Sequence, residues 1–414
     1  MKKIKIIDSI MGGGKSSWAI QEMNKNCNKD ISFLYATPYL DECKRIRKEV
    51  KNRNIIEPNE KFGKGSKFRH LKQLVTEGEN ICCSHMLLKY ADKELIDALM
   101  SNNYILILDE VMNVVELQEI NHKDKEYILR LGLISVNKEN RVIWTGDEDY
   151  DGKFKDIKIL AENENLYMSR NNFMFWTFPN KIFGYFDDVY ILTYMFKGQI
   201  QRYYYDYFKI EYDYYSIEKD AKGIYKLGEY SIKKENRKNM KKLVSIYEDT
   251  AQSRLNSNFF IDGKESFKHT ELSSSWFMRA TEKEIERLKN NLYTYFRNNC
   301  NSSSKYNLWT TKSQYQSLLK GKGYAKGFIA LNIRATNDYQ DKKNLAYVYN
   351  RYINPLEQAF FLDKDIRIDN DLLAISDLLQ WIWRSRIRKG EPINIYIPSK
   401  RMRELLYKYL NYEI

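Results

Sequence analysis

Short apolar runs alternate with segments of helical period along the first half of the chain. Residues 4–7 are predicted to form a strand, which leads through a glycine loop into a helix over residues 16–25. Residues 31–36 predict a second strand, after which Thr37 is expected to cap a helix with Pro38 at its first position. The apolar run at residues 104–108 (YILIL) is typical of a strand buried on both faces of a parallel sheet. This alternation predicts an α/β domain.

The second half repeats this style, so that a second α/β domain is expected. Helices are predicted over residues 281–298 and 371–388, the latter ended by Gly390 and Pro392, and Ser399 is expected to cap a last helix. Strands are predicted at residues 306–310, 328–333, 345–349 and 393–397.

Residues 9–16 (SIMGGGKS) stand between the first strand and the first helix, where a phosphate-binding loop is expected. Glycines let backbone N–H groups approach phosphates closely, and a helix N-terminus favours negative charge. In this pattern the lysine reaches the β- and γ-phosphates and the following serine ligates Mg²⁺. The predicted nucleotide-binding residues are Gly12, Gly13, Gly14, Lys15, Ser16 and Ser17.

Two further segments carry candidate chemistry. Asp109 and Glu110 directly follow the YILIL strand, where Asp109 could hold the Mg²⁺ bound by Ser16 and Glu110 could polarise the attacking water. Far downstream, residues 380–388 (QWIWRSRIR) place Gln380, Arg384 and Arg388 at intervals of four, on one face of the predicted helix. Arginines brought against a γ-phosphate stabilise the transition state of phosphoryl transfer.

Composition and charge narrow the classes of protein. At 414 residues the chain has room for two to three domains, and 43% apolar residues favour a globular protein. No apolar run is long enough to span a bilayer and no signal peptide is evident, so the cytoplasm is the expected location, a bacterial host's if phage-encoded. The net charge of +13 favours nucleic acid as partner, although AT-rich coding sequence also inflates lysine. The five cysteines contain no CxxC and predict reduced thiols.

Two other sites are weighed and not favoured. Asp147, Glu148 and Asp149 follow a strand-like segment, but a two-metal nuclease needs carboxylates that converge from several elements. The tyrosine-rich segment at residues 203–215 could stack on bases, whereas ring packing in a tyrosine-rich protein is the favoured interpretation.

Taken together, the motifs resemble those of superfamily-two helicases and translocases, in a compact form like those of phages of low-GC bacteria. Residues 9–16 resemble motif I and residues 108–111 (LDEV) resemble motif II. Residues 380–388 resemble motif VI, although Trp383 replaces its glycine and the last arginine is one place late, so that Arg386 or Arg388 could be the arginine finger. The weaker segments resemble motifs Ia (36–46), III (190–196), IV (307–311) and V (333–355), and residues 80–89 resemble the segment before motif II.

The resemblance implies two tandem RecA-like domains with parallel sheets that bind ATP and Mg²⁺. The first domain is expected at residues 1–198 with an insertion at about 113–186, and the second at 199–414 with a basic polar segment at about 215–271. Lys15, Glu110, Gln380, Arg384 and Arg388 would be catalytic, and Ser16 and Asp109 would hold the metal. The residues implied to contact nucleic acid are Thr37, Pro38, His85, Thr310, Thr336 and Asn337.

The predicted function is therefore an ATP-dependent nucleic-acid helicase or translocase in phage or mobile-element replication or recombination. DNA, single-stranded or forked, is favoured over RNA as its substrate, although the motifs do not distinguish the two. Replication or recombination proteins are candidate partners, and no membrane is expected. The alternative is a P-loop ATPase of another class, either a DNA-packaging motor or a nucleotide-dependent regulatory switch, without unwinding activity. A switch would not need the arginine-rich segment far downstream.

Overall fold

The structure is a computed structural model that describes residues 2–170, 172–250, 255–256, 260–261, 264–265, 270–331 and 339–414. Two compact units make up the chain. The first comprises Met1–Tyr230 and Ile353–Ile368, and the second comprises Ser231–Tyr352 and Asp369–Ile414. In the described residues no helix is long and apolar enough to cross a membrane.

Strands and helices alternate through both units. The strands are β1 (Ile4–Asp8), β2 (Ser32–Thr37), β3 (Ile55–Ile56), β4 (Asn80–Ser84), β5 (Tyr104–Asp109), β6 (Val115–Gln118), β7 (Ile134–Val136), β8 (Val142–Trp144), β9 (Leu166–Ser169), β10 (Phe173–Thr177), β11 (Asp188–Thr193), β12 (Tyr212–Lys219), β13 (Tyr225–Glu229), β14 (Val244–Ile246), β15 (Phe260–Ile261), β16 (Lys264–Glu265), β17 (Asn307–Thr310), β18 (Asn344–Tyr347) and β19 (Ile393–Tyr396). The helices are α1 (Lys15–Lys25), α2 (Leu40–Glu49), α3 (Lys67–Thr76), α4 (His85–Lys89), α5 (Lys93–Met100), α6 (His122–Arg130), α7 (Lys155–Glu162), α8 (Ile200–Phe208), α9 (Arg237–Leu243), α10 (Ser274–Phe277), α11 (Glu282–Thr294), α12 (Gln316–Leu319), α13 (Pro355–Leu362), α14 (Asn370–Ile382) and α15 (Lys400–Leu410).

The main sheet of the first unit has eight strands in the order β13-β12-β1-β11-β5-β2-β4-β3. All neighbours are parallel except β12 and β13. Its central strands are apolar on both faces, as in β5, where Tyr104 to Leu108 are all buried. Burial on both faces is what parallel strands covered by helices require. The carboxyl ends of the strands therefore meet at one edge, where the loops that carry chemistry begin.

The predicted insertion forms a small body of its own within the first unit. Strands β6, β10 and β9 make an antiparallel sheet, and β7 pairs with β8. A separate apolar cluster, which includes Ile128, Val142, Phe154 and Leu166, fills it. Asp147 accepts a hydrogen bond from the Asp149 backbone N–H within an exposed turn. Among the described residues no group of three or more ligating side chains could hold a metal, so the geometry that a two-metal nuclease needs is not found there.

Helix α13 belongs to the first unit although the chain on both sides of it belongs to the second. The Phe360 ring stacks on Tyr207 of α8 at 4.7 Å between centroids and lies 4.9 Å from Phe175 of β10. Tyr203, Tyr204 and Tyr205 of α8 are fully buried, which confirms that the rings of this helix pack rather than face solvent.

The second unit contains a four-stranded parallel sheet in the order β14-β19-β18-β17. Strands β17, β18 and β19 and helix α11 lie where the sequence predicts them, and Ser399 caps α15 by accepting a hydrogen bond from the Met402 N–H. In the predicted strand at 328–333, Phe328 makes a single bridge to Trp309. Two parallel α/β sheets confirm the predicted fold class.

Three local expectations differ from the structure. The predicted helix at 371–388 ends at Ile382, because Ser385 donates a side-chain hydrogen bond to the Ile382 carbonyl and caps a short 3-10 turn at Arg386–Lys389. Thr37 ends β2 instead of capping a helix, and α2 begins at Leu40 after Tyr39. The second unit begins at Ser231, whereas the sequence placed its start at residue 199, because β12 and β13 join the first sheet beside β1.

Candidate nucleotide and nucleic-acid site

The glycine loop follows β1 and leads directly into α1. Gly12 and Gly14 adopt left-handed backbone with φ of 79° and 93°, which favours glycine. A Cβ on Gly13 would lie 2.9 Å from the Ile10 carbonyl oxygen, so the loop is too tight there for a side chain. Trp18, Ala19 and Met23 bury one face of α1 against the sheet, and this packing fixes the helix N-terminus behind the loop.

Lys15 is folded back over the loop. Its Nζ donates to the carbonyl oxygens of Ser9 (2.5 Å) and Ile10 (3.3 Å), and the side chain is buried. An ammonium group held over backbone carbonyls inside a glycine loop is placed where a phosphate oxygen could take over from those carbonyls. Ser16 and Ser17 follow in the first turn of α1. The loop, the lysine and the helix N-terminus thus fit a polyphosphate.

Strand register brings the predicted acidic residues to the same edge. Asp8 at the end of β1 pairs with Thr193 of β11, and Leu192 of β11 pairs with Asp109 of β5. Glu110 has left-handed backbone (φ 70°), and its N–H donates to the Leu192 carbonyl at 2.9 Å. Asp109 and Glu110 therefore lie two strands away from β1, the strand that leads into the glycine loop.

The pKa of Asp109 depends on charges from both the glycine loop and the acidic residues around it. The pKa of Asp109 is raised to about 7, first because burial disfavours its charged form and then because Glu110 and Glu42 carry like charge. The Tyr35 hydroxyl and the charge of Lys15 act in the opposite direction on that pKa. A carboxylate crowded by like charges with one lysine nearby is chemically suited to a divalent cation. Magnesium in ATPase sites is bound by one or two carboxylates together with phosphate oxygens and water.

The predicted nucleic-acid contacts of the first unit lie farther along this edge. Thr37 of β2 pairs with Ser84 of β4, Pro38 follows Thr37, and His85 begins α4. The His85 Nε2 lies 3.1 Å from the Ala36 carbonyl oxygen. The structure thus brings Thr37, Pro38 and His85 together. Thr37 itself is fully buried, whereas Pro38 and His85 are partly exposed.

The predicted residues of the second half belong to the second unit. Gln380 lies in the last turn of α14 and Arg384 is buried beyond its end, while Arg388 is exposed on the 3-10 turn. Because α14 ends at Ile382, these three residues do not share the face of one continuous helix. The Arg386 Nε donates to the Pro392 carbonyl at 2.7 Å, so its guanidinium has a local structural partner.

Thr310 is placed differently from expectation. It is fully buried, and its hydroxyl donates to the Ile329 carbonyl at 2.7 Å, so this placement does not present it to a nucleic-acid strand. Thr336 and Asn337 lie outside the described residues.

The structure adds residues that the sequence did not single out. The buried carboxylate of Asp8 accepts hydrogen bonds from the N–H groups of Met195 (2.8 Å) and Phe196 (2.9 Å), tying β1 to the segment after β11. The Ser9 hydroxyl accepts from the Ile217 N–H of β12 at 2.8 Å. The ring of Tyr225 lies so close to Gly14 that an added Cβ would meet it at 2.1 Å. An aspartate closing an apolar strand could have flagged Asp8, but no local pattern flags Tyr225.

These features, two parallel α/β sheets with a glycine loop and in-register carboxylates at the edge of the first, define the fold class as that of α/β proteins with a loop suited to phosphate. The structure of S. tokodaii Xpd4 matches with a TM-score of 0.52 over 100% of this chain and 94% of that one, at 12% identity. An XPD helicase matches with a TM-score of 0.47 at 11% identity, over 99% and 94% of the two chains. Identity this low shows the fold alone.

The chain belongs to the YonV family. It is 39% identical over 421 residues to the SPbeta prophage-derived uncharacterized protein YonV of Bacillus subtilis (strain 168), with 99% of each chain covered. Residues 115–176 match the YonV middle domain, and residues 238–410 match the YonV C-terminal Rossmann-like domain. The middle domain coincides with the small body described above.

Proposed function

We propose that this protein is an ATP-dependent nucleic-acid translocase or helicase, acting on DNA in phage or mobile-element replication or recombination. The observation that carries the proposal is the shared edge of the first sheet. There, the glycine loop with its inward-folded Lys15 and the crowded carboxylates Asp109 and Glu110 follow in-register strands.

Each residue at this edge has a role that follows from its placement. The N–H groups of Gly12, Gly13 and Gly14 would cradle the phosphates, and Lys15 would leave its two carbonyl partners for phosphate oxygens. Ser16 and Asp109 would hold Mg²⁺, which when bound neutralises developing charge on the phosphates. Glu110 would orient the attacking water and accept its proton.

The second unit would complete the reaction and grip the strand. Arg384 and Arg388 would stabilise the charge that develops on the transferred phosphoryl group, with Gln380 in a positioning role. Pro38 and His85, which are partly exposed, would contact nucleic acid at the neighbouring strand ends, and Thr336 and Asn337 would do so from the second unit. The cytoplasm of a bacterial host is the expected location, and replication or recombination proteins are the candidate partners.

Two substitutions test the proposed chemistry. Lys15→Ala should abolish ATP binding and hydrolysis, because it removes the cation above the loop. Glu110→Gln should keep nucleotide binding but lower turnover by about 100-fold or more, which is the usual effect of removing a general base. Steady-state phosphate release and binding of a fluorescent ATP analogue measure the two effects separately.

Matched controls are available on exposed positions of the same unit. Lys25→Ala at the far end of α1 and Glu119→Gln should leave both measurements unchanged. Hydrolysis at the wild-type rate in both Lys15→Ala and Glu110→Gln would refute the proposed site. A forked-duplex displacement assay then separates a helicase from a P-loop ATPase that does not unwind.

A further inference from the structure

The net positive charge of this protein lies in one unit. The second unit contains 31 Lys and Arg against 17 Asp and Glu, a net charge of +14, whereas the first unit has a net charge of −1. Within the second unit, residues 287–337 contain nine Lys and Arg and no acidic residue, although the whole chain has 55 acidic residues in 414. The segment is therefore a local source of uncompensated charge.

Three of these nine cations lie in one loop, Lys320-Gly-Lys-Gly-Tyr-Ala-Lys-Gly327, which we term the lysine–glycine loop (residues 320–327). Its anchor is Tyr324, which is fully buried and whose hydroxyl donates to the Leu319 carbonyl at 2.6 Å. The Tyr324 ring stacks on Phe296 at 5.3 Å between centroids and meets the edge of Trp309 at 5.5 Å. The loop is thus fixed to the core of the unit.

The glycines make this attachment possible. Gly323 has a φ of +89°, and a Cβ on Gly321 would lie 2.6 Å from the Tyr324 Oη. A Cβ on Gly327 would lie 2.3 Å from the Asn307 carbonyl oxygen, and the Asn307 side chain donates to the Gly323 carbonyl at 3.0 Å. The backbone is held at the amino end of β17, while Lys320, Lys322 and Lys326 remain exposed. Lysines on a fixed backbone lose less conformational entropy when they bind an anion than lysines on a mobile loop would.

Three neighbouring cations extend the same surface. The Arg297 Cδ lies 3.0 Å from the position of a Cβ on Gly323, and the Lys289 carbonyl accepts from the Tyr324 hydroxyl at 3.4 Å. Lys305 lies on the 3-10 turn next to Asn307, the residue that Gly327 contacts. Together with the three lysines of the loop, these cations make a set of six exposed side chains, namely Lys289, Arg297, Lys305, Lys320, Lys322 and Lys326. None of the six forms a salt bridge with another described residue.

We propose that the lysine–glycine loop, with Arg297 and Lys305, binds the sugar–phosphate backbone of nucleic acid. This rests on the proposed function, and it places a contact at the opposite end of β17 from Thr310. Six exposed cations without a salt bridge to a described residue suit a run of phosphates, and Lys305 is in addition held over the Tyr306 ring at 4.6 Å. The loop carries no exposed large apolar side chain that could insert into a lipid surface, since Tyr324 is buried. Backbone contacts of this kind bind without reading sequence.

The test compares the full-length protein with the triple variant Lys320→Gln/Lys322→Gln/Lys326→Gln. Binding of fluorescently labelled oligo(dT) is followed by anisotropy between about 50 and 300 mM KCl. We expect at least a tenfold loss of affinity near 100 mM salt. The slope of log K against log salt should fall by about 2, because each lost phosphate contact on a single strand contributes roughly 0.7.

The matched control is Lys29→Gln/Lys51→Gln/Lys123→Gln, which removes three exposed lysines of the first unit. It should bind like wild type, and both triple variants should keep the wild-type ATPase rate measured without nucleic acid. Arg297→Gln, outside the loop, should weaken binding on its own.

Each outcome decides the inference. Wild-type affinity and slope in the loop variant would overturn it, and would leave the proposed function intact if ATPase stimulation persists. Loop-dependent binding in a protein without ATPase activity would support the loop and overturn the proposed function. Failure of the wild type to bind nucleic acid would overturn both. The assignment would also be overturned if the loop variant lost sedimentation with phosphatidylserine vesicles but bound oligo(dT) as tightly as wild type.

Discussion

Asp109 links the chemistry of the site to the stability of the folded protein. Its pKa is raised to about 7, so between pH 4 and 7 the folded protein holds a proton that the unfolded chain releases. The stability of the folded state therefore falls as the pH rises through this window. Above pH 7 the folded protein holds the charged Asp109 carboxylate close to other negative charges, which destabilises the folded state.

Asp109→Asn should relieve that cost. Because wild type loses about 1.4 kcal/mol of stability per pH unit between pH 4 and 7, we expect the nucleotide-free variant to gain more at pH 8 than at pH 5, by about 2–3 kcal/mol. Thermal unfolding between pH 5 and 8 without Mg²⁺ measures this. Asp97→Asn, on the exposed face of α5, is the control, and an equal gain at both pH values would contradict the account.

Single residues were predictable where the chemistry is local. The phosphate loop could be found from sequence because its glycines, lysine and serine are consecutive. The resemblance implies that Thr37 and Thr310 contact nucleic acid, yet both side chains are buried, because burial depends on strands that are far apart in sequence. Tyr225 was missed for the same reason, as it meets Gly14 only through sheet pairing.

At the scale of elements, α13 joins the middle domain to α8 within the first unit. Phe360, which is 1% exposed, contacts both Tyr207 and Phe175. The Ser169 hydroxyl at the end of β9 also donates to the Asp363 carboxylate at 2.6 Å, just beyond α13. The helix thus supplies part of the core beneath the middle domain.

Phe360→Ala should lower the free energy of unfolding by about 3–5 kcal/mol, because it leaves a cavity where three rings meet. Urea denaturation of the full chain measures this. Phe62→Ala, which removes a ring that is 69% exposed, should have little effect. An unfolding midpoint for Phe360→Ala equal to that of wild type would mean that α13 does not hold this core together.

Apolar periodicity predicts whether a segment is a helix or a strand, but it does not predict where some of these elements end. The helix predicted to reach residue 388 ends at Ile382, because the Ser385 side chain takes the Ile382 carbonyl. Periodicity cannot reveal this competition between side-chain and backbone donors. The first sheet likewise gains β12 and β13 beyond the predicted boundary, since edge pairing with β1 is a long-range contact.

At the scale of the whole molecule, charge and nucleotide chemistry are divided between the units. The glycine loop and the crowded carboxylates lie in the first, whereas the net positive charge lies in the second. Composition alone yields a net charge of +13 but not its location, because the division needs the unit boundaries. The proposed function would account for this asymmetry if one unit binds ATP and the other holds most of the nucleic acid.

The ATPase rate of the purified full-length protein, with and without nucleic acid, tests this account most directly. We predict Mg²⁺-dependent ATP hydrolysis that rises severalfold with single-stranded DNA, more than with RNA or blunt duplex, and that Lys15→Ala abolishes. No hydrolysis, or hydrolysis at one rate whether or not any of these nucleic acids is present, would contradict it.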